Sequence, residues 1–408
     1  MEFKSKKLGN GLVIIGEVNR NAKSAAVGFF VKTGSRDEGK EINGVSHFLE
    51  HMLFKGNDRL SASEVNEAFD RTGADFNAGT SWENTVFYAA VLPEYLEEVT
   101  ELWIELMRPA LREEDFNIEK KVIKEEIAMY EDTPSFDVMD KCQNLYFGEH
   151  PCGNSILGTE GSIDNLRAEQ MRAYFVSRYA PNNMVVAYAG DFDWDRTCSL
   201  VEERCSQWQG RDVSRELKDC KGSGKKNRVE KSNLTCEHIC LMSSGPCAQE
   251  PTRFAASLLG VIIGDSVGSR FYWELVDKAV AEVAITQYGP MDGLGVFYNR
   301  IRCSSANVAK VLDTVSAIFR SLSESGVTEE ELRKAKNKIL SKLVIENELP
   351  MGRLSALGSN WLYLEQYRTV EEDISSIKDV TVDDVRSVIA QYNPGDFTQL
   401  SIGPVQSS

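Results

Sequence analysis

His47, Glu50 and His51 lie within five residues of one another in 44-GVSHFLEHMLFKG-56, in a chain that has only four histidines. On an α-helix, residues three and four apart share a face, so the two imidazoles can hold one cation with the carboxylate beside it. Neutral imidazole suits Zn²⁺, and a neighbouring carboxylate can take a proton from water at the metal. The alternative is a pair of ordinary core histidines. It would bury three ionisable groups unpaired among Phe48, Leu49, Met52, Leu53 and Phe54, which is costly, so the spacing favours a metal site.

A catalytic zinc ordinarily takes three protein ligands and a water, so a third ligand is needed. The acidic stretch 113-EEDFNIEKKVIKEEIAMYED-132 offers candidates. Glu119 and Glu126, seven apart, share nearly one helical face with Val122, Ile123 and Tyr130, and that apolar face is expected to point inward. Glu125 projects away from it, where Lys121 can pair with it. Glu126 is therefore read as the ligand and Glu119 as the carboxylate that orients a ligand.

These side chains require two helices and a sheet to hold them. The first helix is expected from about Val45, with Asn43 or Ser46 as N-cap and Lys55-Gly56 as its stop. Ahead of it, 11-GLVIIGEV-18 and 24-SAAVGFFVKTGS-35 read as strands. The same order recurs later, with 237-EHICLMSSGP-246 strand-like and 251-PTRFAASLLGVIIGD-265 helical. The two halves also end alike. Both 163-IDNLRAEQMRAYFVSRYAPNNMVVAYAG-190 and 377-IKDVTVDDVRSVIAQYNPGDFTQLSIG-403 read as a helix, a Tyr-x-Pro break and a strand ending at glycine. An α+β protein of two homologous sheet-plus-helices domains in tandem follows. The hydrophilic run 221-KGSGKKNR-228 reads as an exposed linker, placing the domains at 1–215 and 231–408 with a linker at 216–230.

Composition narrows the function classes. A chain of 408 residues exceeds one ordinary core. The formal charge of −16 argues against nucleic acid, which needs a basic footprint. No apolar run approaches the roughly 20 residues of a membrane span. The N-terminus has no apolar core of a secretory signal, and nine cysteines at irregular spacing fit reduced thiols, so a cytoplasmic location is expected. Cys236-Glu-His238-Ile-Cys240 reads as a strand, since alternate strand residues make a poor tetrahedral cage.

With Glu126 added, His47-Phe-Leu-Glu50-His51 resembles the inverted zinc motif of the inverzincins. More closely, the chain resembles the M16 metallopeptidases, the family of pitrilysin, insulin-degrading enzyme and the mitochondrial processing peptidase, and within it the short two-domain members such as the processing peptidase beta subunit. The matching pieces are 33-TGSRDE-38, 44-GVSHFLEHMLFKG-56, 77-NAGTSWENTVFY-88, 119-EKKVIKEEIAMYEDTP-134 and 150-HPCGNSILGT-159.

The resemblance implies zinc held by His47, His51 and Glu126, Glu50 as general base and Glu119 in support. It implies hydrolysis of peptides or short unfolded segments inside a chamber formed by two chains pairing as a clamshell. Asn77 matches a residue that holds the substrate backbone, and Phe76, Asn77, Ala78, Gly79 and Thr80 match the edge strand to which a peptide adds itself. Glu83 and Tyr88 match family positions, while His150 is expected to be structural or substrate-facing. In one respect the chain departs from the pattern. In 269-SRFYWELVDKAVAEVA-284, Val276 and Val283 stand where the family has an arginine and a tyrosine that complete the site. The resemblance then implies either a homodimer or a heterodimer with a similar chain that supplies both. The alternative is a non-catalytic structural or peptide-binding subunit of such a complex.

Overall fold

The computed structural model describes residues 1–405. The chain divides into two compact units. The first comprises Met1–Ala128, Asn154–Glu216 and Val344–Arg368; the second comprises Met129–Gly153, Leu217–Leu343 and the chain from Thr369. The passage from Glu216 to Leu217 falls inside the expected linker, but the units are not consecutive halves. Each takes one helical segment from the other half of the sequence.

The first unit is built on a six-stranded sheet of order β1-β2-β6-β3-β5-β4. Its strands are β1 (Glu2–Lys7), β2 (Val13–Val18), β3 (Ala25–Val31), β4 (Asp75–Thr80), β5 (Thr85–Val91) and β6 (Met184–Gly190). β2 and β6 run parallel, and the other neighbours are antiparallel. The central strands are apolar throughout because both faces are covered. Period-two alternation sends Val27, Phe29, Val31, Val186 and Tyr188 into the larger core, with α1 (Val45–Leu53), α2 (Ala62–Thr72), α3 (Leu96–Leu106) and α4 (Glu113–Glu131). Ala26, Phe30, Val185 and Ala187 point the other way, onto Leu354 and Leu357 of the helix Pro350–Leu364. That helix lies close to the sheet at Gly358, where a Cβ would come within 2.3 Å of the Phe30 ring. Arg353 on the same helix forks onto Glu17 of β2, Nε to Oε1 at 2.9 Å and Nη2 to Oε2 at 2.5 Å. Tyr367 donates its hydroxyl to the same carboxylate.

The second unit repeats the plan. Its strands are β7 (Lys226–Glu230), β8 (Cys236–Gly245), β9 (Val283–Pro290), β10 (Gly295–Ser304) and β11 (Thr398–Gly403), in the order β7-β11-β8-β10-β9. Here α5 (Pro134–Phe147), from the first half of the sequence, lies on β8 and β11; the Cys142 thiol is 3.5 Å from the Cys240 carbonyl oxygen. The expected repeat of helix, Tyr-x-Pro break and strand is present as Ala168–Arg178 leading to β6 and Val382–Gln391 leading to β11. The expected linker is in part a strand. β7 pairs parallel with β11, and Arg228 forks onto Glu237, so Lys226–Glu230 is an ordered edge and not a flexible tether.

Candidate metal centre

α1 begins one residue after Gly44, the N-cap, which has φ 93° and stands where a Cβ would come within 2.5 Å of the Leu157 carbonyl oxygen. Only glycine meets both demands without strain. Lacking a side chain, Gly44 cannot cap the helix. Glu38 does so from the preceding loop: Oε2 accepts the Gly44 N–H and the Asn43 amide at 2.7 and 2.8 Å, and Oε1 accepts the Ser46 N–H at 2.7 Å. The expected caps Asn43 and Ser46 are thus partners of the capping carboxylate. Burial pushes the Glu38 carboxyl up to about 7, against the lowering effect of those donors. Ser46 is further tied to the Tyr174 hydroxyl at 2.7 Å.

One helical face then presents His47, Glu50 and His51 toward α4. His47 Nε2 and His51 Nε2 lie 3.7 and 3.5 Å from the same oxygen, Glu126 Oε2. The ligand atoms of all three residues fall within 4.8 Å of one another. Ligands at about 2.1 Å in a tetrahedral array stand about 3.4 Å apart, so the spacing fits a zinc ion. Glu126 is half-buried at the margin of the α4 face formed by Phe116, Glu119, Ile123 and Ile127. Val122, expected on that face, is 43% exposed.

Glu119 Oε1 is 2.8 Å from His51 Nδ1, leaving Nε2 to face Glu126, and Lys55 Nζ sits 2.5 Å from Glu119 Oε2. Lys55, which the sequence offers only as part of the helix stop, lies just past the C-cap Phe54 and reaches back to Glu119. The His51–Glu119–Lys55 chain fixes the ring and its tautomer.

The charges respond to one another. Burial, with His51 beside it, pulls His47 down to about 3, which leaves the imidazole neutral. Burial works against a proton on His51, but Glu119, Glu126 and Glu50 outweigh it and raise its pKa. Burial raises Glu126 and, against a hydrogen bond from Thr80, raises Glu50, as suits a proton acceptor. Glu119 is held below its usual range: its contacts with His51 and Lys55 prevail over burial.

β4 forms the edge of the sheet beside this cluster. Its alternation turns Phe76, Ala78 and Thr80 inward and Asp75, Asn77 and Gly79 outward. The Phe76 ring stacks on Phe69, with centroids 3.9 Å apart, and so belongs to the core. Ala78 donates its N–H to Asn77 Oδ1 at 2.8 Å, and the Thr80 hydroxyl donates to Glu50 Oε2 at 2.6 Å. Glu83 is buried in an ion pair with Arg36 and accepts the Tyr363 hydroxyl at 3.0 Å. Tyr88 on β5 stands opposite Asn77. His150 lies outside the cluster, its Nε2 3.1 Å from the Lys218 carbonyl oxygen. His238 and Cys240 are consecutive same-phase residues of β8, as expected. In the second unit, Val276 packs against the core and Val283 opens the edge strand β9.

The profile described as "Insulinase (Peptidase family M16)" matches residues 13–160, and that described as "Peptidase M16 inactive domain" matches residues 165–339. An uncharacterized zinc protease of Bacillus subtilis, YmxG, is 30% identical over 397 residues, 97% of each chain. An uncharacterized zinc protease of Mycobacterium leprae is 30% identical over 98% of this chain and 91% of its own length. In fold, a protease from Helicobacter pylori superposes with a TM-score of 0.92 at 22% identity, covering 99% of both chains. The two matched regions account for most of the sequence, and the relatives run its full length, so this chain is a member of peptidase family M16.

Proposed function

We propose that the protein is a zinc-dependent endopeptidase acting on peptides or short unfolded segments. The observation that carries this is the convergence of His47 Nε2, His51 Nε2 and Glu126 Oε2 on one point, with the Glu50 carboxylate beside it and an open strand edge alongside. His47, His51 and Glu126 would hold the ion, which when bound polarises the scissile carbonyl and acidifies water. Glu50 takes the proton from the attacking water and passes it to the departing amine. His51 is kept in register by Glu119 and Lys55. The free edge of β4 binds an extended peptide through main-chain hydrogen bonds, and Asn77 on its outward side holds the substrate backbone.

No helix among the described residues is long and apolar enough to cross a membrane. The irregular spacing of the nine cysteines supports a cytoplasmic location. Two chains closing around a chamber would restrict substrates to short or unfolded ones. Val276 and Val283, apolar where the family pattern has arginine and tyrosine, favour a heterodimer in which a similar chain supplies those groups; a homodimer is the other assembly. The same two residues support a second reading, a non-catalytic subunit that binds peptide. Glu50→Gln tests the mechanism: zinc is retained and turnover lost, and normal turnover by this variant refutes it. The purified chain is assayed against a mixed peptide library, alone and after addition of a homologue that carries the arginine and tyrosine. Stoichiometric zinc with no cleavage in either arm selects the non-catalytic reading.

A further inference from the structure

The hydrogen bond between Thr80 and Glu50 links the two parts of the site, the base and the substrate strand. Thr80 is the last residue of β4, on its inner face, and its hydroxyl meets Glu50 Oε2 at 2.6 Å. Its backbone N–H adds a further attraction to the same carboxylate. On an edge strand, alternate N–H groups face away from the paired neighbour. The Ala78 N–H, two residues before, is turned to the Asn77 side chain and not to β5. Ala78 and Thr80 are thus in one phase of the strand, and the carboxylate of Glu50 stands where the line of outward groups ends.

The hairpin that follows is held unusually firmly. The Ser81 N–H donates to the Asn84 carbonyl, and Ser81 Oγ accepts from the N–H groups of Glu83 and Asn84. Arg36 donates its N–H to the Trp82 carbonyl at 2.8 Å, and its guanidinium pairs with Glu83. Arg215 reaches the Glu83 carbonyl and Asp37 together. This network explains why Glu83 is buried although it touches no candidate ligand, and it fixes Thr80 at the end of the strand. A carboxylate gripped at one oxygen leaves the other free in a set direction, and catalysis is sensitive to such orientation: a displacement of about 1 Å can cost about 100-fold in rate.

We infer that Thr80 is the positioning residue for the general base: its hydroxyl holds Glu50 Oε2, turning the remaining oxygen toward the attacking water and tying the base to the end of the substrate-binding edge. The inference rests on the peptidase reading above. It also reassigns Thr80 from binding the substrate to aligning the group that acts on it.

The test uses Thr80→Val and Thr80→Ser in the full chain, with any partner needed for activity. Thr80→Val is expected to lose about 10- to 100-fold in kcat with KM and zinc stoichiometry unchanged, and Thr80→Ser to restore most of the loss. Added to Glu50→Gln, Thr80→Val should cost nothing further, since the two act as one unit. A raised KM with unchanged kcat, or an unaffected kcat, overturns the inference. A second measurement needs no turnover: calorimetric binding, to the zinc-loaded chain, of a peptidyl hydroxamate whose N–OH group would hydrogen-bond to the Glu50 oxygen that Thr80 leaves free. Thr80→Val should weaken the hydroxamate and leave an unmodified peptide bound as before. Equal hydroxamate affinity in Thr80→Val and the parent chain overturns the inference, even where the parent chain proves inactive and the peptidase reading fails by itself.

Discussion

Replacing Glu119 by glutamine separates what this carboxylate does by geometry from what it does by charge. The amide oxygen can still accept from His51 Nδ1, now 2.8 Å from Glu119 Oε1, so the ring keeps its tautomer. The negative charge is lost, and the Lys55 ammonium, 2.5 Å from Oε2, is left facing a neutral amide. Carboxylates that support a ligand in this way are typically worth about 10- to 100-fold in metal affinity, or about 1.4–2.8 kcal/mol. The expected result is zinc binding weakened by that factor at pH 8, read by competition with a chromophoric chelator. The pH dependence carries a further sign. His51 has a raised pKa, with Glu119 first among the groups that raise it against burial, so protons compete with zinc for His51 up to a higher pH than they would for an ordinary imidazole. Glutamine removes that contribution and lowers the His51 pKa. As the pH falls the parent chain therefore loses affinity sooner, and the gap between the two proteins narrows. An unchanged affinity at pH 8, or a gap that widens toward acid, refutes the role given to Glu119.

Other consequences concern stability. The Glu38 carboxyl has a folded-state pKa of about 7 against an ordinary 4.5, chiefly through burial. The folded chain then holds a proton that the unfolded chain releases, so this group's contribution is fully present below about pH 4.5 and is lost as the pH rises through 7, a change on the order of 3 kcal/mol. Glu38→Gln should flatten that part of the profile in denaturant unfolding of chelator-treated protein; parallel profiles for the two proteins would contradict it. Truncating Arg353 to alanine leaves Glu17 charged and buried, and a loss of about 3–5 kcal/mol is expected in chemical denaturation. The double change Arg353→Met with Glu17→Met should cost far less, and a double variant as unstable as the single one would count against a buried-charge penalty.

The candidate metal centre is legible because its grammar is local. His47, Glu50 and His51 follow helical spacing, and the inward face of α4 singles out Glu126 among its acidic residues. That face was misplaced by a fraction of a turn. Val122 is exposed while Phe116, Glu119, Ile123 and Ile127 are buried, because the stripe is narrow and Glu126 lies at its margin. The cap of α1 has no local signature, because Glu38 lies six residues upstream of Gly44 and acts across a loop. β1 and β7 lack a sequence signature for another reason. Their sequences, EFKSKK and KNRVE, lack apolar alternation, and β-pairing at a sheet edge depends on backbone groups that composition does not report. Nor could periodicity say which sheet an amphipathic helix covers, so the exchange of Pro134–Phe147 and Pro350–Leu364 between the halves had no sequence signal.

That exchange sets a timetable for the molecule as it is made. β6 is complete at Gly190, yet Ala26, Phe30, Val185 and Ala187 gain their cover only when Leu354 and Leu357 have been synthesised. At about 5–20 residues per second, translation leaves one side of the first sheet bare for roughly 10–30 s. The nascent chain must spend that interval with an apolar surface open to chaperones or to misassociation. For the same reason a gene divided at the linker would encode two fragments that each lack a wall. Their recovery as folded protein would depend on being produced together, each lending the other its missing helix.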